Sequence, residues 1–323
     1  MEFFKLTKTF NFMGKSKLAM IMSIVLVLSS FLILAIKGLN YGVDFAGGTI
    51  VQVKYGSAAP IDEMREKLKS NAIFDGASIT EFGSEDEVVI RMRTTTGDVV
   101  VDVGDLTRET LVGTGEFEIR RVDIVGPKVG SELKEKGIMS LILAVIGILI
   151  YVAFRFEWRF AVASIMALVH DVSIALGAIA LVGLEVNLDV LAALLTILGY
   201  SLNDTIIVFD RIREGVVKGR DVELSEIIDD SVTKTLARTT LTSLTTFFVV
   251  FTLFMFGGEI IHAFAFTLLV GIVVGTYSSI FVASPTLLLF GFDVKKYYVK
   301  LAEKAKREAE KERMRSQFES GVM

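Results

Sequence analysis

The chain contains no cysteine, which removes disulfides, thiolate nucleophiles and thiolate metal sites together. It has only two histidines, His170 and His262, too few for a histidine-rich metal centre. There are three prolines and a single tryptophan. Charged residues make up 22% of the 323, a little under the ~25% of soluble domains. The formal net charge of −4 carries no basic excess that would mark a nucleic-acid binder. At 52% hydrophobic the chain is neither disordered nor collagenous nor a disulfide framework. No cofactor fingerprint or metal-ligand spacing stands out, and no enzymatic reaction on a small molecule is expected. What is abundant is apolar side chain, gathered into six runs, while most of the charge sits in three blocks.

A bilayer core of ~30 Å needs about 20 mostly apolar helical residues to span it. Leu18–Ile36 qualifies without a single charge. Ile138–Phe154, Phe160–Val182, Val190–Phe209, Thr239–Phe256 and Ala263–Leu289 complete the set. The third run carries His170 and Asp171, and the fourth carries Asn203 and Asp204. Strands of a soluble core would be interrupted by turn residues every 8–12 positions, and these runs are not. Six transmembrane helices are therefore expected. A cleaved secretory signal is the alternative reading of the first run. That run is long for a signal, lacks an A-x-A site, and its retention makes the charge alternation below consistent.

Lys5, Lys8, Lys15 and Lys17 precede the first run, and Arg155 and Arg159 stand between the second and third. Arg211, Arg213, Lys218, Arg220, Lys234 and Arg238 lie between the fourth and fifth, and Lys295, Lys296, Lys300, Lys304, Lys306 and Arg307 follow the sixth. The loops 183–189 and 257–262 contain neither Lys nor Arg. By the positive-inside rule both termini are expected in the cytoplasm and the stretch 37–137 outside. The expected organisation is an N-terminal segment 1–17, helix 18–36, an external domain 37–137, helices two to six within 138–290, and a tail 291–323. The tail Lys295–Arg315 mixes Lys and Arg with Glu303, Glu308, Glu310 and Glu312 and reads as a solvated helical segment, with little to support a phospholipid-binding role.

Within the external stretch, residues 47–55 read as a strand and Ile61–Ser70 as a short amphipathic helix. Ala77–Phe82 and Val88–Thr95 read as strands, Asp98–Val112 as a helix weakened by its valines, and Phe117–Val125 as a last strand. The order βαββαβ is that of the split βαβ, ferredoxin-like unit. It holds no histidine, no phosphate loop and no paired carboxylates, so it reads as a contact module. The fold class expected is thus a six-helix membrane bundle with one α+β ferredoxin-like domain between helices one and two.

An ionisable residue inside a span costs at least ~2.5–3.5 kcal/mol near the centre, so its default reading is functional. Asp204 lies five residues before Phe209, about 7–8 Å of rise from the end of its run. Arg238 opens the next run, and the two are expected to meet across helices four and five. A carboxylate whose guanidinium partner comes and goes is a proton carrier, because desolvation and a nearby positive charge push its proton affinity in opposite directions. One charge crossing ~150 mV is worth about 3.5 kcal/mol. The plainer readings are a static buried ion pair and a snorkelling arginine. Asp171, Asn203 and Thr242 are secondary candidates, for the path or for packing. His170 and Asp171 are neighbours on one helix, about 100° apart, and are not expected to face one partner. Arg238, Thr242 and Thr245 or Thr246 share a face that would carry water or protons, or else would only hydrogen-bond to backbone carbonyls one turn back. Gly271-x-x-x-Gly275 marks a close helix contact.

Several of these segments resemble one family. GVDFAGGT (Gly42–Thr49), VGPKVGSEL (Val125–Leu133), VHDVSIALG (Val169–Gly177) and GYSLNDTIIVFDRIRE (Gly199–Glu214) are similar to the SecF family of protein translocase subunits. So are TLARTTLTS (Thr235–Ser243) and Phe256–Pro285. The resemblance implies half of a transporter of the resistance-nodulation-division superfamily, completed by SecD, in the cytoplasmic (inner) membrane with domain 37–137 periplasmic. It implies the SecYEG channel, a translocating preprotein, YajC and YidC as partners besides membrane lipid, and a proton gradient as the energy source without nucleotide. The aspartate and arginine of the family's proton path match Asp204 and Arg238. A small-molecule or lipid exporter of the same superfamily and a passive scaffold for the channel remain the alternatives.

Overall fold

The computed structural model describes residues 9–92, 102–218, 222–292 and 294–319. A short segment from Phe10 leads into α1 (Ser16–Lys37). It is held by Asp229, whose Oδ1 accepts the backbone N–H groups of Phe12 and Met13, both at 2.8 Å. After α1 come a two-residue strand β1 (Asn40–Tyr41), a one-turn helix α2 (Val43–Ala46) and β2 (Gly48–Tyr55). The sheet domain continues with α3 (Ile61–Lys69), β3 (Ser78–Glu81), β4 (Glu87–Met92), α4 (Val103–Thr110) and β5 (Phe117–Val125). The chain then runs through α5 (Pro127–Arg155), α6 (Trp158–Val182), β6 (Glu185–Val186), α7 (Leu188–Lys218) and α8 (Leu224–Phe256). Next, α9 (Gly258–Ser278) passes through a π-helical turn, Ser279–Ala283, into α10 (Ser284–Leu289), and α11 (Val294–Glu319) forms the tail.

The six expected spans are present: among the described residues, six helices are long and apolar enough to cross a membrane. Two begin well before their apolar runs. Pro127 sits in the first turn of α5, where its missing N–H costs nothing, and the helix persists through Lys128–Lys136 before the apolar part begins. Likewise α8 starts at Leu224, ahead of the run that opens at Thr239. Lys, Glu and Leu are good helix formers, so helicity continues where hydropathy stops. Gly183 ends α6 in a left-handed conformation (φ +81°), its N–H bonded to Ile179 O.

In the bundle α6, α7 and α9 are central. The most apolar stretch of α6 is 50% buried, against 17% for α1 and α8, which leave one face open. Close contacts use small residues. A Cβ at Gly271 would lie 2.2 Å from Ile197 Cγ1, and one at Gly275 3.0 Å from Ser201 Cβ, so the Gly271/Gly275 face receives α7. Gly177 on α6 receives Ser30 of α1 in the same way. Phe160, Phe209, Ile212 and Ile228 form one core toward the basic end of the bundle. Ile179, Val190, Ala193 and Ala265 form another toward the sheet domain.

The domain is a four-stranded antiparallel sheet in the order β3-β4-β2-β5, the ferredoxin-like arrangement expected. Val51, Val53, Val88 and Ile90 face α3 and α4 and bury Met64, Leu68 and Leu111, each worth about 1.5–3 kcal/mol on full burial. The expected elements recur within a few residues at their ends. Residues 93–101, where the fourth expected element ends and the fifth begins, lie outside the described residues.

A second, unexpected pairing ties the domain to the bundle. β1 runs parallel to β6, with Asn40 opposite Glu185 and Tyr41 opposite Val186. Immediately afterwards α2 packs on the first turn of α5. A Cβ at Gly47 would lie 2.8 Å from Pro127 Cα, and one at Gly130 would lie 2.9 Å from Gly47 N. Both positions need glycine because backbone meets backbone there.

Candidate functional site

The fourth run presents Ser201, Asp204, Thr205 and Val208 toward the bundle interior, at helical spacing. Asp204 is 1% exposed. Its Oδ2 accepts the Ser243 hydroxyl of α8 at 3.2 Å, and Ser243 Oγ accepts in turn from Thr276 Oγ1 of α9 at 2.7 Å. The other carboxyl oxygen, Oδ1, is buried and has no hydrogen-bond partner. A buried polar atom left so is costly and marks a place where a proton, a water or a moving side chain is expected.

Ser243 rather than Arg238 is hydrogen-bonded to Asp204, and the charge of Arg238 acts on the carboxyl from further off. The reason is helical phase. Five residues separate Arg238 from Ser243, which turns the guanidinium about 140° away from the Asp204 side and about 7–8 Å along the axis. Arg238 is exposed and lines a cleft of about 520 Å³ with Asp210, Arg211, Glu214 and Lys234. Thr242, one turn further on, is exposed as well, with its hydroxyl bonded to Arg238 O at 3.1 Å and Thr239 O at 2.9 Å. Thr245 and Thr246 bond back to their own helix in the same manner. Asn203 lies on the exposed side of α7 beside Asp204.

Asp171 is fully buried and accepts from three directions. Ser201 Oγ of α7 reaches its Oδ2 at 2.5 Å, and Ser278 Oγ, at the end of α9, reaches the same oxygen at 2.8 Å. His170 Nδ1 lies 2.8 Å from Oδ1. The two side chains meet each other but have different partners beyond that, Ser201 and Ser278 for Asp171 and Tyr277 for His170. The His170 ring also stacks on Tyr277, 6.1 Å between centroids, and Tyr277 in turn donates to Ala19 O of α1.

Two polar networks therefore sit one turn apart in the bundle core. One joins Asp204, Ser243 and Thr276, and the other joins His170, Asp171, Ser201 and Ser278. Of the five candidates, Asp171 and Asp204 lie in these networks; Arg238, Asn203 and Thr242 are exposed, with Asn203 and Arg238 close enough to act on the Asp204 carboxyl. Ser243, Thr276, Ser201 and Ser278 were missed as individual residues; hydroxyls isolated in apolar runs were their only signal. Among the described residues no cluster of three or more His, Asp or Glu side chains is placed to hold a metal.

Residues 106–293 match the family described as Protein export membrane protein SecD/SecF, C-terminal, and residues 32–59 match the SecD/SecF GG Motif. The chain belongs to the SecD/SecF family. It is 49% identical over 321 residues to protein translocase subunit SecF of Helicobacter pylori, covering 99% of both chains. It is 47% identical to SecF of Calditerrivibrio nitroreducens over 90% of this chain and 96% of that one. The crystal structure of SecDF from Thermus thermophilus, described as a translocon-associated membrane protein, superposes with a TM-score of 0.76 at 36% identity. That match covers 89% of this chain but 39% of the SecDF chain, so this protein spans about two fifths of the SecDF polypeptide. SecDF in a super-membrane-facing form gives a TM-score of 0.69 at 35% identity. The residues that match the GG motif, 32–59, run from the end of α1 through β2 and include Gly47, which meets the first turn of α5.

Proposed function

We propose that this protein is the SecF subunit of the Sec translocase and, paired with SecD, uses the proton-motive force to promote late steps of protein export across the cytoplasmic membrane. The observation that carries the proton-coupling part is the buried Asp204 carboxyl, with one oxygen held by Ser243 and the other unpartnered. Charge on that carboxyl calls for a donor at Oδ1, and Arg238 reaches it only by a shift or rotation of α8. Protonation removes the demand, so loading and unloading a proton favours two placements of α8. Arginine suits this role because it keeps its charge throughout.

The basic flanks orient both termini to the cytoplasm and the sheet domain to the periplasm. A SecDF chain extending well past this one supports SecD as the source of the remaining helices, which would cover Asn203, Arg238 and Thr242. SecYEG, YajC, YidC and the translocating preprotein are the further partners of this reading.

The test is gradient-dependent release of a preprotein from energised spheroplasts or inverted vesicles, with Asp204→Asn and Arg238→Met set against wild type. Co-purification with SecD is the assembly control. Loss of the gradient-dependent fraction with assembly intact is expected. Unchanged translocation would make the site structural and end the proton-motor reading.

A further inference from the structure

We infer that Asp44 is a positioning residue that fastens the start of α7 to the sheet domain, so that displacement of α7 tilts the domain about a single junction. The inference rests on the reading of α7 as the helix whose Asp204 loads the proton. Asp44 Oδ2 accepts the backbone N–H of Leu188, the first residue of α7, at 3.0 Å. Asn187 Oδ1 accepts the Val190 N–H, also at 3.0 Å, so two of the first three amide groups of α7 are capped, one of them by a residue from far along the chain. A carboxylate at this end also complements the helix dipole. Gly42 N donates to Val186 O at 2.9 Å, and the β1–β6 pairing adds a backbone seam on the same side.

The junction is compact because the domain enters and leaves the bundle at one place. β2 starts at Gly48, paired with Val125, the last residue of β5; Pro127 then opens α5 against Gly47. At the other edge of the sheet β3 lies against α9. Between β3 and the start of α9 lies a cleft of about 390 Å³, lined by Thr80, Arg91, Glu185, Asn187, Glu259 and His262. Glu185 and Asn187 belong both to the clasp and to the wall of this cleft, so axial motion of α7 that pulls on Asp44 also changes the width of the cleft. Asparagine at position 44 keeps an acceptor for Leu188 N, whereas alanine removes it.

The experiment uses the full chain with its partner subunit in lipid vesicles. Because this chain has no cysteine, Lys69→Cys on α3 and Phe256→Cys at the end of α8 give unique sites for spin labels, with a cysteine-free partner. Dipolar distance distributions are compared between Asp204 and Asp204→Asn. A shift between those two is expected, retained with Asp44→Asn and lost with Asp44→Ala. A shift that persists in Asp44→Ala overturns the inference, and so does the absence of any shift with Asp204→Asn. The proton-motor reading is judged separately, by gradient-dependent translocation in Asp204→Asn.

Discussion

Removal of the Asp171 carboxyl should cost far more than removal of either hydroxyl that serves it. Asp171→Ala removes the acceptor from three buried groups at once and leaves Ser201 Oγ and His170 Nδ1 stranded, while Ser278 Oγ can fall back on Gly275 O. Interhelical hydrogen bonds measured in membrane proteins average about 0.6 kcal/mol and reach ~1.7, so Ser201→Ala and Ser278→Ala should each cost an amount in that range. Breaking a buried charged partnership from one side costs about 3–5 kcal/mol in soluble proteins, through the groups left behind. With two groups left unpartnered and a third weakened, Asp171→Ala should fall at about 3–4 kcal/mol, several hundred-fold in the folded-to-unfolded ratio. Asp171→Asn should lie between, because the amide oxygen can still accept both serine hydroxyls, which share Oδ2, while its NH2 takes the place of the oxygen that faces His170 Nδ1. Reversible unfolding of the purified chain in mixed micelles with increasing SDS gives all four values on one scale. If Asp171→Ala costs no more than a single Ser→Ala change, Asp171 is not the hub that joins α6, α7 and α9, and the reasoning fails.

Gly177→Ala brings a Cβ to 2.4 Å from Ser30 Cβ and 2.8 Å from Ser30 Cα. Overpacking of this kind costs about 1–3 kcal/mol, and cysteine cross-linking between α1 and α6 should fall in the variant. Asp229→Ala leaves the Phe12 and Met13 amides without their shared acceptor. The segment before α1 should then become cleavable by added protease at the basic end, while the bundle stays intact. In the sheet domain, burial pushes the Tyr55 phenol above its ordinary value; the hydrogen bond with Thr114 pulls the other way and the Glu63 carboxylate adds to the rise. The folded state therefore holds that proton more tightly, so the contribution of Tyr55 to stability is complete below about pH 10 and is lost as pH rises through the folded value. A tyrosinate absorbance titration should lose one late-ionising component in Tyr55→Phe.

The spans and the order of elements in the domain were legible because each is a property of a local run of residues. Helix ends were less so: hydropathy marks where a helix meets lipid, and both α5 and α8 continue as helix through Lys- and Glu-rich turns where that signal is silent. Asp204 stood out as a carboxyl in an apolar run. Its true neighbour did not, since whether Arg238 or Ser243 faces it depends on the relative rotation of two helices, which neither sequence states alone. The His170–Asp171 contact was not legible, because direction at Cβ does not give direction at the polar atom. Two-residue strands such as β1 and β6 have no periodicity to detect. The role of the two glycines at 47 and 130 also needs both ends of a contact that joins distant parts of the chain.

The threonines of α8 have a consequence for what can travel along that helix. Thr239, Thr242, Thr245 and Thr246 each direct their single hydroxyl proton to a carbonyl of the preceding turn. A hydroxyl that has already committed its proton presents only lone pairs to its surroundings. Such a row cannot hand a proton onward without first breaking a bond to its own backbone. Beyond the buried Thr239 it can, however, receive hydrogen bonds from a passing donor at Thr242, Thr245 and Thr246. The surface is thus a track of acceptors, chemically matched to a guanidinium sliding past or to water entering oxygen-last, and unsuited to serve as a proton wire in its own right.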